Sequence, residues 1–250
     1  MNESLSTPSL RNTFKFPFES KEWIVPFIIG TALIFAGMII PIIPLIFVYG
    51  YLASVMRMSI NGEVMSLPAW NNWGRLFKDG LRSLVVGAVY LGPGILVSMI
   101  GFSVYFVMIV ASIALTPESS YNSTSTGLVG LLMMGAMGIL FLSMFVGTIL
   151  IIAGTIPLPA AIGHFIANDK LASAFHIREW GRIIKKDRWG YLISWLIVVG
   201  MFGTLYIGFM LAYMTFVLCF IGYLLAFPIG YYIMLVSAAL FGQNYREGTV

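Results

Sequence analysis

The sequence Trp73-Gly74-Arg75-Leu76-Phe77-Lys78 occurs a second time as Trp180-Gly181-Arg182-Ile183-Ile184-Lys185. Each copy lies in a short polar segment, and an apolar run long enough to span a membrane follows it almost at once. A motif that recurs in the same context indicates an internal duplication. We therefore predict two repeats, each of which has a polar helix next to membrane-spanning segments.

The segments on either side of these motifs are almost free of charge. Only 10% of the 250 residues are charged, whereas a soluble domain has about 25%. Apolar runs of about 18 or more residues are typical of membrane-spanning helices. The composition predicts an all-α, polytopic integral membrane protein with five or six transmembrane helices. The stretches without Asp, Glu, Lys or Arg are residues 24–56, 83–117, 119–168 and 189–245.

Prolines and polar segments divide the chain into parts. Proline removes a backbone hydrogen-bond donor and clashes with the preceding helical turn. Helix breaks are therefore predicted at Pro41, Pro44, Pro93, Pro157, Pro159 and Pro228. The expected parts are an N-terminal tail (1–22), a first membrane repeat (23–115), an external loop (116–126), a second membrane repeat (127–213), a final transmembrane helix (214–241) and a C-terminal tail (242–250).

Two of these parts allow alternative structures. Residues 23–60 form either two short helices joined by a tight turn at the prolines, or one long kinked helix. Residues 1–22 are either a tail that contacts the membrane surface or an unstructured terminus.

Both polar segments have the spacing of amphipathic helices, which we predict over residues 66–80 and 171–186. Ser66 followed by Pro68 is typical of a helix start, and apolar residues then recur every three or four positions. A basic helix with Trp at the edge of its apolar face is suited to the lipid headgroup region. The residues predicted at this interface are Trp70, Trp73, Arg75, Lys78, Arg82, Trp180, Arg182, Lys185, Lys186, Arg188 and Trp189.

Basic residues predict the orientation in the cell membrane. Arg57 and the first polar segment together carry four Lys or Arg residues, the second segment carries six, and the predicted external loop carries none. The positive-inside rule places both polar segments and the C-terminus in the cytoplasm, so the repeats are parallel. The N-terminus is inside if residues 23–60 form two helices and outside if they form one. The excess of basic residues in the segments placed in the cytoplasm accounts for the net charge of +4. Anionic lipids of the inner leaflet are the expected partners, and no nucleic acid is required.

A run from Pro44 to Pro93 resembles a known family. It contains Pro44, Gly50-Tyr51, Arg57, Asn61-Gly62-Glu63, Leu67-Pro68-Ala69-Trp70, Trp73-Gly74, Phe77, Asp79-Gly80-Leu81, Tyr90 and Pro93. This pattern is similar to that of the prokaryotic membrane family called domain of unknown function 4013. Near the C-terminus, Val236-Ser237-Ala238, Phe241-Gly242-Gln243 and Tyr245-Arg246-Glu247 resemble the family too.

The resemblance spans nearly the whole chain and departs from the family pattern at Asn71-Asn72, where acidic residues are expected. That departure argues against a carboxylate site there. The resemblance implies a multi-spanning membrane protein with no established activity, and it carries over no catalytic residues.

Four polar residues are the strongest candidates for chemistry. His164, Asp169, His176 and Glu179 lie within 16 residues of one another. On a helix, His176 and Glu179 could supply half of a metal site. We favour two interfacial histidines beside a solvated charged face, because no recognisable motif supplies a third ligand. No catalytic residue, metal or cofactor is therefore expected. Asp79 and Asp187 are expected to balance nearby Arg and Lys residues.

The function most consistent with these patterns is that of a non-enzymatic structural or accessory subunit of a membrane assembly, with a membrane-protein partner or a second copy. The alternative is a small-solute or lipid transporter or channel, which proline-broken helices favour and the lack of charge within the spans disfavours. A polar cavity at mid-membrane depth would favour transport, and an apolar outer groove would favour an accessory subunit. Small residues that allow close helix packing recur four apart at Ala32 and Ala36, at Ser143 and Gly147, and at Gly222, Ala226 and Gly230.

Overall fold

The computed structural model describes residues 7–114 and 123–249. Within these ranges the chain forms helices and no strand, which confirms the all-α prediction. The α-helices are α1 (Thr7–Glu19), α2 (Ile24–Ile39), α3 (Ile43–Asn61), α4 (Trp73–Ala114), α5 (Ser123–Thr155), α6 (Leu158–Asn168), α7 (Ile177–Lys186), α8 (Arg188–Tyr213) and α9 (Phe216–Thr249), and a 3₁₀ turn covers Leu171–Phe175.

Five segments of the described chain are long and apolar enough to cross a membrane. A sixth is added if the bent pair Leu10–Glu19 and Ile24–Ile39 is counted as one span. The chain is therefore a polytopic helical membrane protein, as predicted. The five segments are Ile43–Asn61, Trp73–Ala114, Val129–Asn168, Arg188–Tyr213 and Phe220–Thr249.

The described residues form two compact units, and the second is Gly87–Leu158. It contains the later part of α4 and all of α5, which pack through small residues. A Cβ atom at Gly94 would lie 2.6 Å from the carbonyl oxygen of Gly147, and one at Gly101 would overlap Ser143. The pair Ser143 and Gly147 therefore packs within the chain.

The first unit combines the chain up to Val86 with the chain from Pro159 onward. Its central element is α9, which contacts α1, α2, α3, α7 and α8. Tyr51 of α3 and Tyr231 of α9 are fully buried in its core. This unit carries the polar clusters that form the candidate site.

The first apolar block is two helices that contact each other, so the first of the two predicted alternatives is correct. Pro41 lies between α2 and α3, and Ile42 has a positive φ angle of 76°. Pro157 similarly lies between α5 and α6. Proline at these places removes a hydrogen bond that the helix ends do not need.

Two predicted helix breaks are wrong. Pro93 lies inside α4 and Pro228 lies inside α9. Proline is tolerated within membrane helices because neighbouring groups and small local adjustments satisfy the freed backbone carbonyl. Pro44 and Pro159 lie in the first turns of α3 and α6, where proline is favourable.

The helix predicted over residues 66–80 begins only at Trp73, and residues 63–72 are not helical. Asn72 caps this helix, because its Oδ1 accepts a hydrogen bond from the backbone N–H of Arg75 at 3.3 Å. The helix then continues without interruption into the span as α4. The segment predicted over residues 171–186 is divided into the 3₁₀ turn and α7 at His176.

Both ends of the described chain are helical. The hydroxyl of Tyr232 donates a hydrogen bond to the backbone oxygen of Phe14 at 2.9 Å, and Phe16 is buried, so α1 packs on α9. An unstructured terminus is therefore wrong for residues 7–19. The final helix continues past residue 241 to Thr249. Most of the predicted external loop lies outside the described residues, and only residues 123–126 are described, as the start of α5.

Candidate functional site

α3 and α4 meet through their backbones. A Cβ atom at Gly50 would overlap the carbonyl oxygen of Leu76, and one at Gly80 would overlap that of Ile46. Only glycine allows two helices to approach this closely. The close contact places the end of α3 beside the first turns of α4, where the charged residues lie.

Residues 63–72, which we call the α3–α4 loop, are held by aromatic side chains. The hydroxyl of Tyr51 donates a hydrogen bond to the backbone oxygen of Pro68 at 2.8 Å, and its ring stacks on Trp70 with the ring centres 4.3 Å apart. The indole N–H of Trp70 donates to the backbone oxygen of Pro26 at 3.0 Å. Trp70 is therefore a core residue, and protein rather than lipid covers its side chain.

Asp79 lies at the centre of a charged cluster. Its side chain is 3% exposed, and its Oδ2 lies 3.0 Å from Nη1 of Arg57 and 3.7 Å from Nε of Arg75. Oδ1 of Asp169 lies 3.4 Å from Nη1 of Arg82 and 4.0 Å from Nη2 of Arg57. These five residues, which we call the arginine–aspartate cluster, link α3, α4 and the end of α6. Asp79 balances arginines as predicted.

Asp187 has a different role from the one predicted. Its Oδ1 accepts a hydrogen bond from the backbone N–H of Gly190 at 3.1 Å. Asp187 is thus the N-cap of α8, where a carboxylate satisfies a free backbone donor and favourably meets the helix dipole.

A second cluster surrounds the buried His164. Its Nε2 lies 2.9 Å from Oε2 of Glu179, and its Nδ1 lies 2.7 Å from the hydroxyl oxygen of Tyr245. An ionised carboxylate can only accept a hydrogen bond, so Nε2 carries the proton. In the neutral ring Nδ1 then accepts from the hydroxyl of Tyr245. We call this set, which joins α6, α7 and α9, the histidine clamp.

Charge around the clamp affects the carboxyl group of Glu179. The hydrogen bond from His164 lowers the pKa of Glu179, and the nearby charges of His176 and Arg182 lower it further. The ring of His176 lies 3.6 Å from the same carboxylate oxygen. His164, His176 and Glu179 thus come together, whereas Asp169 belongs to the arginine–aspartate cluster.

The geometry of the clamp is that of a structural hydrogen-bond network. Both ring nitrogens of His164 are engaged by protein side chains. Within residues 7–114 and 123–249, no three His, Cys, Asp or Glu side chains form a group that could hold a metal ion.

Two residues that the clusters depend on are absent from the predicted site residues. Arg57 ends an otherwise uncharged run. Because a buried charge needs a partner, the position of Arg57 could have predicted an ion pair. Tyr245 is 81 positions from His164. No local spacing could have connected those two residues.

A family model described as "Protein of unknown function (DUF4013)" matches residues 33–211, more than half of the chain. The chain belongs to this family. The matched range confirms the resemblance and contains both clusters except for Tyr245. The similar segments within residues 236–247 lie outside it. No curated protein and no solved structure matches this member of the DUF4013 family.

The predicted interface residues of this DUF4013 member have several different environments. Trp180 is buried and donates its indole N–H to the backbone oxygen of Ala174 at 3.1 Å, so its predicted contact with headgroups is wrong. Arg82 is partly buried beside Asp169. The residues whose side chains are exposed are Trp73, Arg75, Lys78, Arg182, Lys185, Lys186, Arg188 and Trp189.

An open groove lies between α8 and α9 in the first unit. Its volume is about 750 Å³, and its lining is almost entirely apolar. Small residues follow one another at every fourth position of α8 along this groove, and α9 adds two more. These residues are Gly200, Thr204, Gly208 and Ala212 on α8 and Gly222 and Ala226 on α9.

Proposed function

We propose that this DUF4013 member is a non-enzymatic structural or accessory subunit of a cell-membrane assembly. Its partner contributes a transmembrane helix to the groove between α8 and α9. The observation that supports this proposal most directly is the groove itself, because it is apolar and lies between two helices of spanning length. A transport site would instead favour polar groups at membrane depth.

The small residues favour a helix as the occupant. A Cβ atom at Gly200 or Gly208 would meet no atom of the described chain within 4 Å, so the small size of these residues is not used for packing there. Small residues four positions apart allow two helix backbones to approach closely in a membrane. A lipid acyl chain has no helix backbone that could approach the glycines closely, so a row of glycines strengthens its binding little.

The proposed orientation places both polar segments and the C-terminus in the cytoplasm. Arg75 and Lys78 on α4, and Lys185 and Lys186 on α7, are exposed and able to reach lipid headgroups. Basic residues near the inner leaflet gain about 1 kcal/mol each from its anionic lipids. These basic residues anchor the protein to the lipid headgroups, and the groove binds the partner.

Photo-cross-linking from the groove tests the proposal. A photoreactive amino acid at Thr204 is expected to form an adduct with a transmembrane peptide of a partner or of a second copy, identified by mass spectrometry. Gly208→Leu fills the groove and is expected to abolish the adduct. Gly203→Leu is the matched control, because Gly203 also has open space around its Cβ position but does not line the groove.

Three results would contradict the proposal. The first is a lipid adduct without any peptide adduct, and the second is a monomer that co-purifies with no protein. The third is equal cross-linking in the two glycine variants, which would show that contact at Thr204 does not depend on the groove.

A further inference from the structure

A separate cavity lies at the polar end of the first unit. It is lined by α3, the α3–α4 loop and the first turn of α4, and its volume is about 450 Å³. Pockets of roughly 300 to 1,000 Å³ accommodate small-molecule ligands. The polar residues of its lining include Arg57, Asn61, Glu63, Asn71, Asn72 and Arg75.

Two arginines line this cavity, and each lies close to a carboxylate. Arg57 and Arg75 both approach the same oxygen of Asp79, at 3.0 and 3.7 Å, so two guanidinium groups share one carboxylate. Nη2 of Arg57 is buried and has no hydrogen-bond acceptor among the described residues. The carboxylate nearest to Nη2 is that of the exposed Asp169, whose Oδ1 lies 4.0 Å away. Arg57, which lines the cavity, therefore has one N–H group without an acceptor.

Other groups around the cavity can also donate hydrogen bonds. The side-chain amides of Asn71 and Asn72 are exposed at its wall, and α4 begins at Trp73, so the positive end of the helix dipole lies beside them. Glu63 is the one acid among the lining residues, and its Oε1 accepts a hydrogen bond from Nδ2 of Asn61 at 2.9 Å.

We infer that this cavity binds the phosphate group of an anionic ligand, with Arg75 as the outer cation and Arg57 at the inner wall. Guanidinium groups match the geometry of phosphate oxygens and bind them through charge-assisted hydrogen bonds. The phosphate can come from a lipid headgroup of the inner leaflet or from a soluble phosphate monoester. The site does not depend on a partner in the α8–α9 groove, so either proposal can fail without the other.

Binding is measured on the full chain in nanodiscs of phosphatidylcholine. One arm adds phosphatidic acid to the nanodisc lipids, and the other adds adenosine monophosphate to the buffer. Saturable binding of one molecule is expected in at least one arm. Arg75→Gln is expected to weaken it by at least about tenfold, because a hydrogen bond to a charged group is lost.

Arg182→Gln is the matched control for Arg75→Gln. Arg182 is the arginine of the second Trp-Gly-Arg copy and is exposed, but it does not line the cavity. We expect its replacement to change the affinity less than about twofold, as for a surface charge at a distance. Asn71→Asp, which places a carboxylate at the exposed wall, is expected to weaken binding as Arg75→Gln does.

Each outcome decides the inference. Binding of phosphatidic acid alone supports a lipid headgroup as the source, and binding of adenosine monophosphate alone supports a soluble ester. Absence of saturable binding in both arms overturns the inference. Equal weakening by Arg75→Gln and Arg182→Gln overturns it too, because that result shows attraction to the whole basic surface.

Discussion

Arg57 donates a hydrogen bond from Nη1 to Oδ2 of Asp79 at 3.0 Å, and this bond joins the end of α3 to the second turn of α4. The two side chains are 17% and 3% exposed. A charge at the end of an apolar helix is costly unless it is paired. The pair therefore explains why an otherwise uncharged run ends in arginine and why Asp79 follows the first Trp-Gly-Arg motif.

Asp79→Asn is expected to destabilise the protein by about 3 kcal/mol, because it leaves the mostly buried Arg57 with only the more distant and exposed Asp169 as a carboxylate partner. The apparent melting temperature of the detergent-solubilised protein measures this effect. Arg75→Gln is the control, since Arg75 is 53% exposed and its loss should cost under about 1 kcal/mol. Similar losses in the two variants would mean that Asp79 is not held mainly by Arg57.

Gly80→Ala is expected to destabilise the contact between α3 and α4 by about 1 to 3 kcal/mol, because its Cβ atom has no room beside the backbone of Ile46. Gly74→Ala, also on α4, meets no atom of the described chain within 4 Å and should be neutral or stabilising by up to about 1 kcal/mol. Thermal unfolding of both variants checks the difference. Unchanged stability of Gly80→Ala would show that the two helices can separate without cost.

The helical membrane architecture was predictable because uncharged runs of spanning length are rarely stable anywhere but in a lipid bilayer. The environments of the two Trp-Gly-Arg copies were not predictable. Trp73 is half exposed and packs edge-on against Phe47, whereas Trp180 is buried and bonded to Ala174. Amphipathic spacing identifies an apolar face but cannot say whether lipid or protein covers it.

The same limit applies to the helix predicted to start at Ser66. Leu67 and Trp70 are spaced as on a helical face, and both are buried in the core. The hydrogen bonds from Tyr51 to Pro68 and from Trp70 to Pro26 satisfy the loop in a non-helical form. Such long-range contacts override local helix propensity, and the spacing of neighbouring residues does not predict them.

The candidate site was predictable only in part, for the same reason. Proximity in sequence suggested His164, His176 and Glu179 as neighbours, and the structure brings them together. The favoured prediction of two interfacial histidines beside a solvated face is wrong for His164, which is buried. Proximity in sequence also suggested Asp169 as a fourth member, but this residue pairs with Arg82. The partner that completes the histidine clamp is Tyr245 on α9, and only the tertiary fold brings it near.

The proposed orientation predicts the side of the membrane from which the polar segments can be labelled. In a Cys219→Ser background, cysteine at Lys78 or at Lys186 is expected to react with a membrane-impermeant maleimide only after the cytoplasmic face is opened. Both positions are exposed, so each thiol should be reachable. Labelling of the two positions from opposite sides would contradict parallel repeats.

The histidine clamp predicts a dependence of stability on acid. Glu179 accepts a hydrogen bond from His164 at 2.9 Å, and mainly for this reason its pKa lies below the ordinary value of 4.5. A carboxyl group whose pKa is lower in the folded state stabilises the fold above its unfolded pKa. That contribution is lost as the pH falls through the folded pKa.

We therefore expect the melting temperature to fall as the pH drops below the ordinary carboxyl value of 4.5, and Glu179→Gln to reduce that fall because glutamine does not titrate. Other acids also titrate in this range, so the difference between the two melting curves is the informative quantity. His176→Gln should alter the curve little, since His176 is 57% exposed and lies 3.6 Å from the carboxylate. Parallel curves for the wild type and Glu179→Gln would mean that His164 does not hold this carboxylate in the folded protein.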